Sequence, residues 1–298
     1  MTTSGARKEA TPRKVRSELH RVVAADGVEL ALTRFSAGTG ESVPVVLTHG
    51  TFSNGAICSR LGAYLAGHGF DAWVLELRGR GQSQRAIPEP TFEAFGLLDV
   101  PAALDRVRAH AGSQRLFLVG HSGGGLAFLM HLARRPDERT SVRGLVMLAS
   151  QATEACATLR GRAMVAFGWI AESALGYAPG RALRLGPENE PRGVLRQWFR
   201  WNRSRRWIGW DGFDYLAALP EIAVPTFCLA GAGDRYIAPV RGCRRLFDAL
   251  GARDKAWAVC ARSEGFSEDF GHTRIVASRA AQREVWPRIR DWLIERSR

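Results

Sequence analysis

The sequence predicts an α/β fold with a mostly parallel central sheet, and three features predict it. Short, nearly continuous apolar runs recur at Val43–Thr48, Ala72–Leu77, Leu116–Val119, Val142–Leu148 and Pro225–Ala230. Runs without polar alternation mark strands buried on both faces. Helix-forming stretches separate them and would cover both faces of such a sheet. Ahead of them, Glu18–Ala24 and Glu29–Phe35 alternate apolar with polar residues around Asp26-Gly27, the pattern of an antiparallel hairpin.

Taken in order, the hairpin leads into the strand at Val43, a helix over Ile57–Gly67 and the strand at Ala72. A helix over Phe92–His110, the strand at Leu116, a helix over Gly124–Arg134 and the strand at Val142 follow. The chain closes with Pro225–Ala230, a helix over Pro239–Leu250, a weaker strand at Ala256–Ala261 and a last helix over Ala277–Glu295. One interval breaks this rhythm. About seventy residues separate the sixth strand from the next, far more than a crossover needs. Gln151–Tyr215 is therefore read as an insertion, and it holds five of the nine tryptophans. An aromatic helical insert beyond the C-terminal edge of a parallel sheet sits where a lid would cover a ligand site. The expected organisation is a basic tail over 1–16, a core over 17–150 and 217–298, and a helical cap over 151–216.

Composition excludes several classes. Apolar residues make up 46% and charged residues 24% of 298, a globular balance. No run is long enough to span a bilayer, so stable membrane insertion is not expected. Met1–Ser17 is polar and basic, so no secretory signal is expected. Five scattered cysteines without a C-x-x-C pair argue against a disulfide framework or structural zinc and point to a reducing cytoplasm. No metal constellation and no dinucleotide-binding loop is present, so no cofactor is expected. The net charge is +13 and almost wholly arginine. A nucleic-acid-binding protein is the remote reading this charge suggests, but no binding module accompanies it, and no nucleic-acid partner is expected.

The segment that carries chemistry is Leu116–Leu126, a buried strand running into Gly120-His121-Ser122-Gly123-Gly124 and then a helix. G-x-S-x-G in that context places serine on a strained strand-to-helix turn with its hydroxyl exposed. The helix N-terminus beside it supplies positive potential for an oxyanion.

From about Ser17 onward the chain resembles the α/β-hydrolase superfamily. Thr48-His49-Gly50-Thr51-Phe52 matches its oxyanion loop after the third strand. Glu76-Leu77-Arg78-Gly79-Arg80-Gly81-Gln82-Ser83 matches its D-x-R-G-x-G-x-S stretch, with Glu in place of Asp. Gly231-Ala232-Gly233-Asp234-Arg235, followed by Pro239, matches the turn that presents the acid, and Phe270-Gly271-His272 the loop bearing the base. The His49–Gln82 region is also similar to acid-lipase-type members, and Gly176–Trp201 to the lid of a bacterial group of hydrolases. The resemblance implies Ser122 as nucleophile, His272 as base, Asp234 as its orienting acid, and the Thr51 and Gly123 amides as oxyanion donors. Some relatives carry the acid after the preceding strand, which here points to Glu154; Glu264 and Asp269 lie too near His272 to be preferred.

The implied activity is a serine hydrolase cleaving a small-molecule ester with an apolar acyl part through an acyl-enzyme. An acyltransferase, thioesterase or amidase would use the same triad. Phe52, His121, Trp198 and Trp201 are candidates for the substrate pocket, although most cap aromatics are expected simply to glue the cap to the core. His49 and His121 are read as braces for backbone. His20, His68, His110 and His131 are read as solvated, and Asp99 and Asp105 as solvated or capping groups. Six arginines and no acid lie over Arg192–Arg206. They are read first as a solvated basic helix face; the sharper reading puts them at the mouth of the site, facing an anionic substrate or surface.

Overall fold

Alternation decides the first edge of the sheet. The computed structural model describes residues 14–38, 42–85, 89–112 and 115–297. Of the tail expected over 1–16, residues 1–13 lie outside the described residues, and Arg16 already opens the first strand. β1 (Arg16–Val23) buries only His20 and Val22 and pairs antiparallel with β2 (Glu29–Ser36). Gly27, at φ 85°, makes the turn between them.

From there the central strands of the sheet are buried almost throughout, and only its last strand, at Lys255–Cys260, is half-buried. β3 (Pro44–Thr48), α1 (Ala56–Gly67) and β4 (Asp71–Leu75) come first. A helical stretch follows as α2 (Phe92–Ala94), a π-helical turn at Phe95–Asp99, and α3 (Val100–Ala111). The sequence predicts one unbroken helix here. Pro101 cannot donate to the preceding turn, and Gly96 lies so close to the helix carrying Ala127 that a Cβ would sit 2.7 Å from the Ala127 carbonyl oxygen. β5 (Leu116–His121), α4 (Gly123–Arg134) and β6 (Val142–Leu148) complete the first half.

Between β6 and the next sheet strand lie α5 (Leu159–Leu175), a two-residue ribbon of β7 (Tyr177–Ala178) with β8 (Glu190–Pro191), α6 (Arg192–Ser204) and α7 (Tyr215–Ala218). β9 (Thr226–Gly231), α8 (Val240–Ala249), β10 (Lys255–Cys260), α9 (Arg274–Ala277), α10 (Arg279–Glu284) and α11 (Trp286–Glu295) end the chain. The eight-stranded sheet runs β1-β2-β4-β3-β5-β6-β9-β10, antiparallel at its first two pairings and parallel elsewhere. This is the mostly parallel α/β sheet that the strand pattern predicts, in the order that the resemblance to α/β hydrolases implies.

Successive strand residues feed two cores, as a period of two demands. Val45, Leu47, Val74, Phe117 and Leu229 face α1 and α11, where Trp292 stacks on Phe227. Val46, Trp73, Leu118, Leu145 and Met147 face α3 and α4, and this second core extends into Trp201, Trp207 and Tyr215.

The same packing corrects three readings of single residues. Asp99 is fully buried, and its carboxylate accepts from both Nε and the amide of Arg78 at 2.7 and 2.9 Å. His131 is buried, with Nε2 3.1 Å from Glu138, and His20 packs on Trp73 with ring centroids 4.9 Å apart. All three sit on inward faces that helix or strand register assigns, in spite of their polarity.

Candidate active site

Ser122 occupies the single residue between β5 and α4, at φ 54° and ψ −121°. A non-glycine residue there is strained, so the surroundings must hold it. Its N–H donates to the Leu148 carbonyl at 2.8 Å, and its carbonyl accepts from the Ser150 hydroxyl at 2.8 Å and the Gly125 N–H at 3.1 Å. Two glycines permit this fit by having no side chain. A Cβ on Gly120 would lie 2.4 Å from the Gly125 amide nitrogen; one on Gly50 would lie 2.5 Å from the Ser122 Cβ.

His272 reaches Ser122 from the loop after β10. Its Nε2 lies 2.8 Å from the Ser122 Oγ, and its Nδ1 lies 2.5 Å from Oδ2 of Asp234. Asp234, in the turn after β9, is itself fixed by the Ile237 and Ala238 amides, which donate to Oδ1 at 3.2 and 3.1 Å. Burial would raise its carboxyl; the hydrogen bond and charge of His272, with those two amides, outweigh burial and hold it below the ordinary value. An ionised Asp234 keeps the proton of a neutral imidazole on Nδ1, which leaves Nε2 free to accept from serine.

The Thr51 and Gly123 amides flank the same point. Neither donates a hydrogen bond among the described residues, and both line a cavity of about 290 Å³ above Ser122 and His272. Of the pocket candidates, Phe52, His121 and Trp198 line this cavity. Trp201 does not. It lies fully buried one layer behind, edge-on to Phe92 at 5.2 Å, with its indole N–H on the Ile208 carbonyl.

The neighbouring histidines brace backbone. His121 Nε2 donates to the His272 carbonyl at 2.9 Å, and burial pushes its pKa down to about 3. His49 accepts from the Leu77 N–H and is likewise pushed down to about 3 by burial. Glu154, the alternative acid, is held instead by Arg205 at 2.8 Å and by Arg245. Asp269 accepts from the Arg262 amide.

The arginines of α6 are not at the mouth, contrary to the sharper reading. α6 turns Val194, Leu195, Gln197, Phe199, Trp201 and Asn202 inward, and none of the six arginines over Arg192–Arg206 lines the cavity. Arg192 and Arg196 approach the buried carboxylate of Glu172, and Arg205 that of Glu154.

Residues missed by sequence reasoning join the segment between β6 and β9 to the loop at Thr51 and Phe52. Glu190 is fully buried; it ion-pairs with Arg80 and accepts the Phe52 N–H at 2.6 Å. Glu188 accepts from the Asn54 side chain at 2.6 Å, and its own N–H donates to the Phe52 carbonyl at 3.1 Å. Phe52 is thereby held at φ 59°, beside Thr51. Two acids in an arginine-rich, aperiodic stretch are the only cue the sequence offers.

The profile of the family described as the alpha/beta hydrolase fold matches residues 43–174. Lipase 3 of Drosophila melanogaster is 33% identical over 155 residues, covering 45% of this chain and 39% of that protein. The human lysosomal acid lipase/cholesteryl ester hydrolase is 26% identical over 163 residues, covering 48% and 41%. The chain thus matches about two fifths of the length of these curated relatives. Among solved structures, a thermophilic esterase from Thermogutta terrifontis superposes with TM-score 0.62 at 21% identity, over 94% of this chain and 99% of that one. The Paleococcus ferrophilus monoacylglycerol lipase gives 0.63 at 22% identity, over 90% and 99%. Sheet order, the strained serine between β5 and α4, the profile match and the superpositions agree: the chain has the α/β-hydrolase fold, and its residues 43–174 are similar to that family.

Proposed function

We propose that this protein is a serine hydrolase that cleaves carboxylic esters through an acyl-enzyme. The observation that carries the reading is the continuous hydrogen-bond chain from Ser122 through His272 to Asp234 at the floor of a walled cavity. In the first step Ser122 Oγ attacks the ester carbonyl carbon while His272 Nε2 takes the hydroxyl proton. Asp234 orients the imidazole and stabilises the imidazolium. The Thr51 and Gly123 amides receive the oxyanion, aided by the N-terminus of α4. Collapse of the tetrahedral intermediate expels the alcohol, which takes the proton from His272. Water then repeats the sequence on the acyl-enzyme and restores Ser122.

Ile57, Phe92, Leu126, Leu185, Trp198 and Ile237 form apolar wall around the serine, which favours an apolar acyl part on a small-molecule ester. The lipase and esterase names of the relatives agree with this chemistry. We read residues 151–216 as a cap over the core, because Leu185, Gly186, Pro187 and Trp198 from it close the cavity. All five cysteines are buried and unpaired, which fits a reducing cytoplasm, and no described helix is long and apolar enough to cross a membrane.

A fluorophosphonate probe should label the protein at Ser122, and Ser122→Ala should abolish labelling and turnover of a p-nitrophenyl ester panel. A folded protein that resists the probe would end this reading.

A further inference from the structure

α5 carries its apolar stripe on the wrong side for a helix that only packs on its own protein. Of its seventeen residues only Gly161, Val165 and Glu172 are buried. At about 100° per residue, the side opposite them presents Leu159, Ala163, Phe167, Ile170 and Ala174. Leu159, Phe167 and Ile170 are 81%, 68% and 69% exposed, and Arg160 and Arg162, both exposed, border the stripe on its two flanks. A contiguous apolar surface of this kind on a soluble fold marks an interaction site.

The charge around it has one sign. Between Thr158 and Arg206 stand ten arginines and three acids, and all three acids are engaged with groups of the fold. Glu172 is buried against Arg192 and Arg196, Glu190 is buried on Arg80, and Glu188 bonds Asn54. Beside the stripe a groove of about 520 Å³ is lined by Trp169, Arg196, Arg200, Arg203, Ser204 and Trp210. Arg203 lies over the Trp169 ring at 4.1 Å and Arg200 over Trp210 at 4.9 Å. Arg196 already faces Glu172, but Arg200 and Arg203, three residues apart on one helix, have no carboxylate partner among the described residues and repel one another, and an anion between them relieves that repulsion.

We propose that the outer face of α5 and this arginine–tryptophan groove dock the protein on an anionic lipid surface. An exposed apolar stripe would enter the acyl boundary, the indoles would sit at headgroup depth, and the arginines would meet anionic headgroups. Charge complementarity selects this occupant: a second copy of the chain would set arginine against arginine. Leu185, exposed and also part of the catalytic cavity wall, joins the outer surface of the insertion to the site. That the surface supplies the substrate rests on the ester-hydrolase reading; the docking does not.

The test is co-sedimentation of the full chain with phosphatidylcholine vesicles, with or without about one third phosphatidylglycerol. Partitioning should be at least about tenfold stronger with the anionic lipid and should weaken with salt. Arg200→Gln with Arg203→Gln should weaken it roughly 25-fold, about fivefold per arginine. Phe167→Ser with Ile170→Ser should weaken it at least about tenfold. Neither pair lines the cavity above Ser122, so both should leave fluorophosphonate labelling of Ser122 unchanged, which also reports that the variants are folded. Equal binding to neutral and anionic vesicles, or no binding, would overturn the proposal. So would self-association of the parent protein that Phe167→Ser with Ile170→Ser abolishes. Loss of labelling with vesicle binding intact would overturn only the hydrolase reading.

Discussion

Replacing Glu190 tests whether the segment between β6 and β9 shapes the loop at Thr51 and Phe52 or merely covers it. Glu190 and Arg80 are 0% and 2% exposed, and the carboxylate also accepts the Phe52 N–H. Burial pushes the Glu190 carboxyl above its ordinary value, with Arg80 and the Phe52 N–H pulling it back only in part. The pair is therefore no net source of stability compared with apolar residues, yet breaking it is costly because one charge stays behind. Glu190→Gln keeps the size of the side chain and an acceptor for Phe52 but strands the Arg80 guanidinium. It should cost about 3–5 kcal/mol in urea denaturation followed by tryptophan fluorescence. Glu190→Ala also orphans the Phe52 amide and should cost about 1–3 kcal/mol more. Arg80→Met combined with Glu190→Gln should cost clearly less than the sum of the two single changes. Because Phe52 holds its positive φ next to Thr51, displacing the Thr51 amide, the proposed oxyanion donor, should slow Ser122 labelling by roughly tenfold or more. A Glu190→Gln protein within about 0.5 kcal/mol of the parent and labelled at the parental rate would refute this reasoning.

The two candidate acids separate by substitution. Asp234→Asn should lower kcat by about four orders of magnitude with little change in KM, since the imidazole loses its orienting charge. Glu154→Gln should lower stability, because it faces Arg205 and Arg245 from a buried position, while leaving the labelling rate of the folded protein intact; the reverse pattern would make Glu154 the acid. Glu138 predicts an acid limb of stability. Its hydrogen bond with His131, and then Arg108, depress its pKa from 4.5 to about 2. That contribution is complete above the unfolded value and fades as pH falls from about 4.5 through about 2, so Glu138→Gln should flatten the urea midpoint across this window. An unchanged slope would count against the assignment.

Much of this molecule is written locally. Strands that lie between two helical layers need unbroken apolar runs, and a hairpin with one open face needs alternation, so Val43–Thr48 and Glu18–Ala24 declare themselves over a few residues. The same holds for Ser122, Asp234 and His272. Each stands in a tight turn whose glycines and spacing are short-range demands, and the sheet order then brings the three turns to one edge. What the tertiary structure alone decided concerns partners far apart in the chain. Trp198 and Trp201 look alike in sequence, but only Trp198 faces the cavity because α6 packs Trp201 against Phe92. Asp99 reads as a helix-surface carboxylate until Arg78 is found beside it. The α6 arginines do not line the cavity above Ser122 because the inward stripe of that helix is filled by apolar residues, Gln197 and Asn202, and Glu190 meets Phe52 across 138 positions. No local period encodes such contacts; they exist only once the layers have packed.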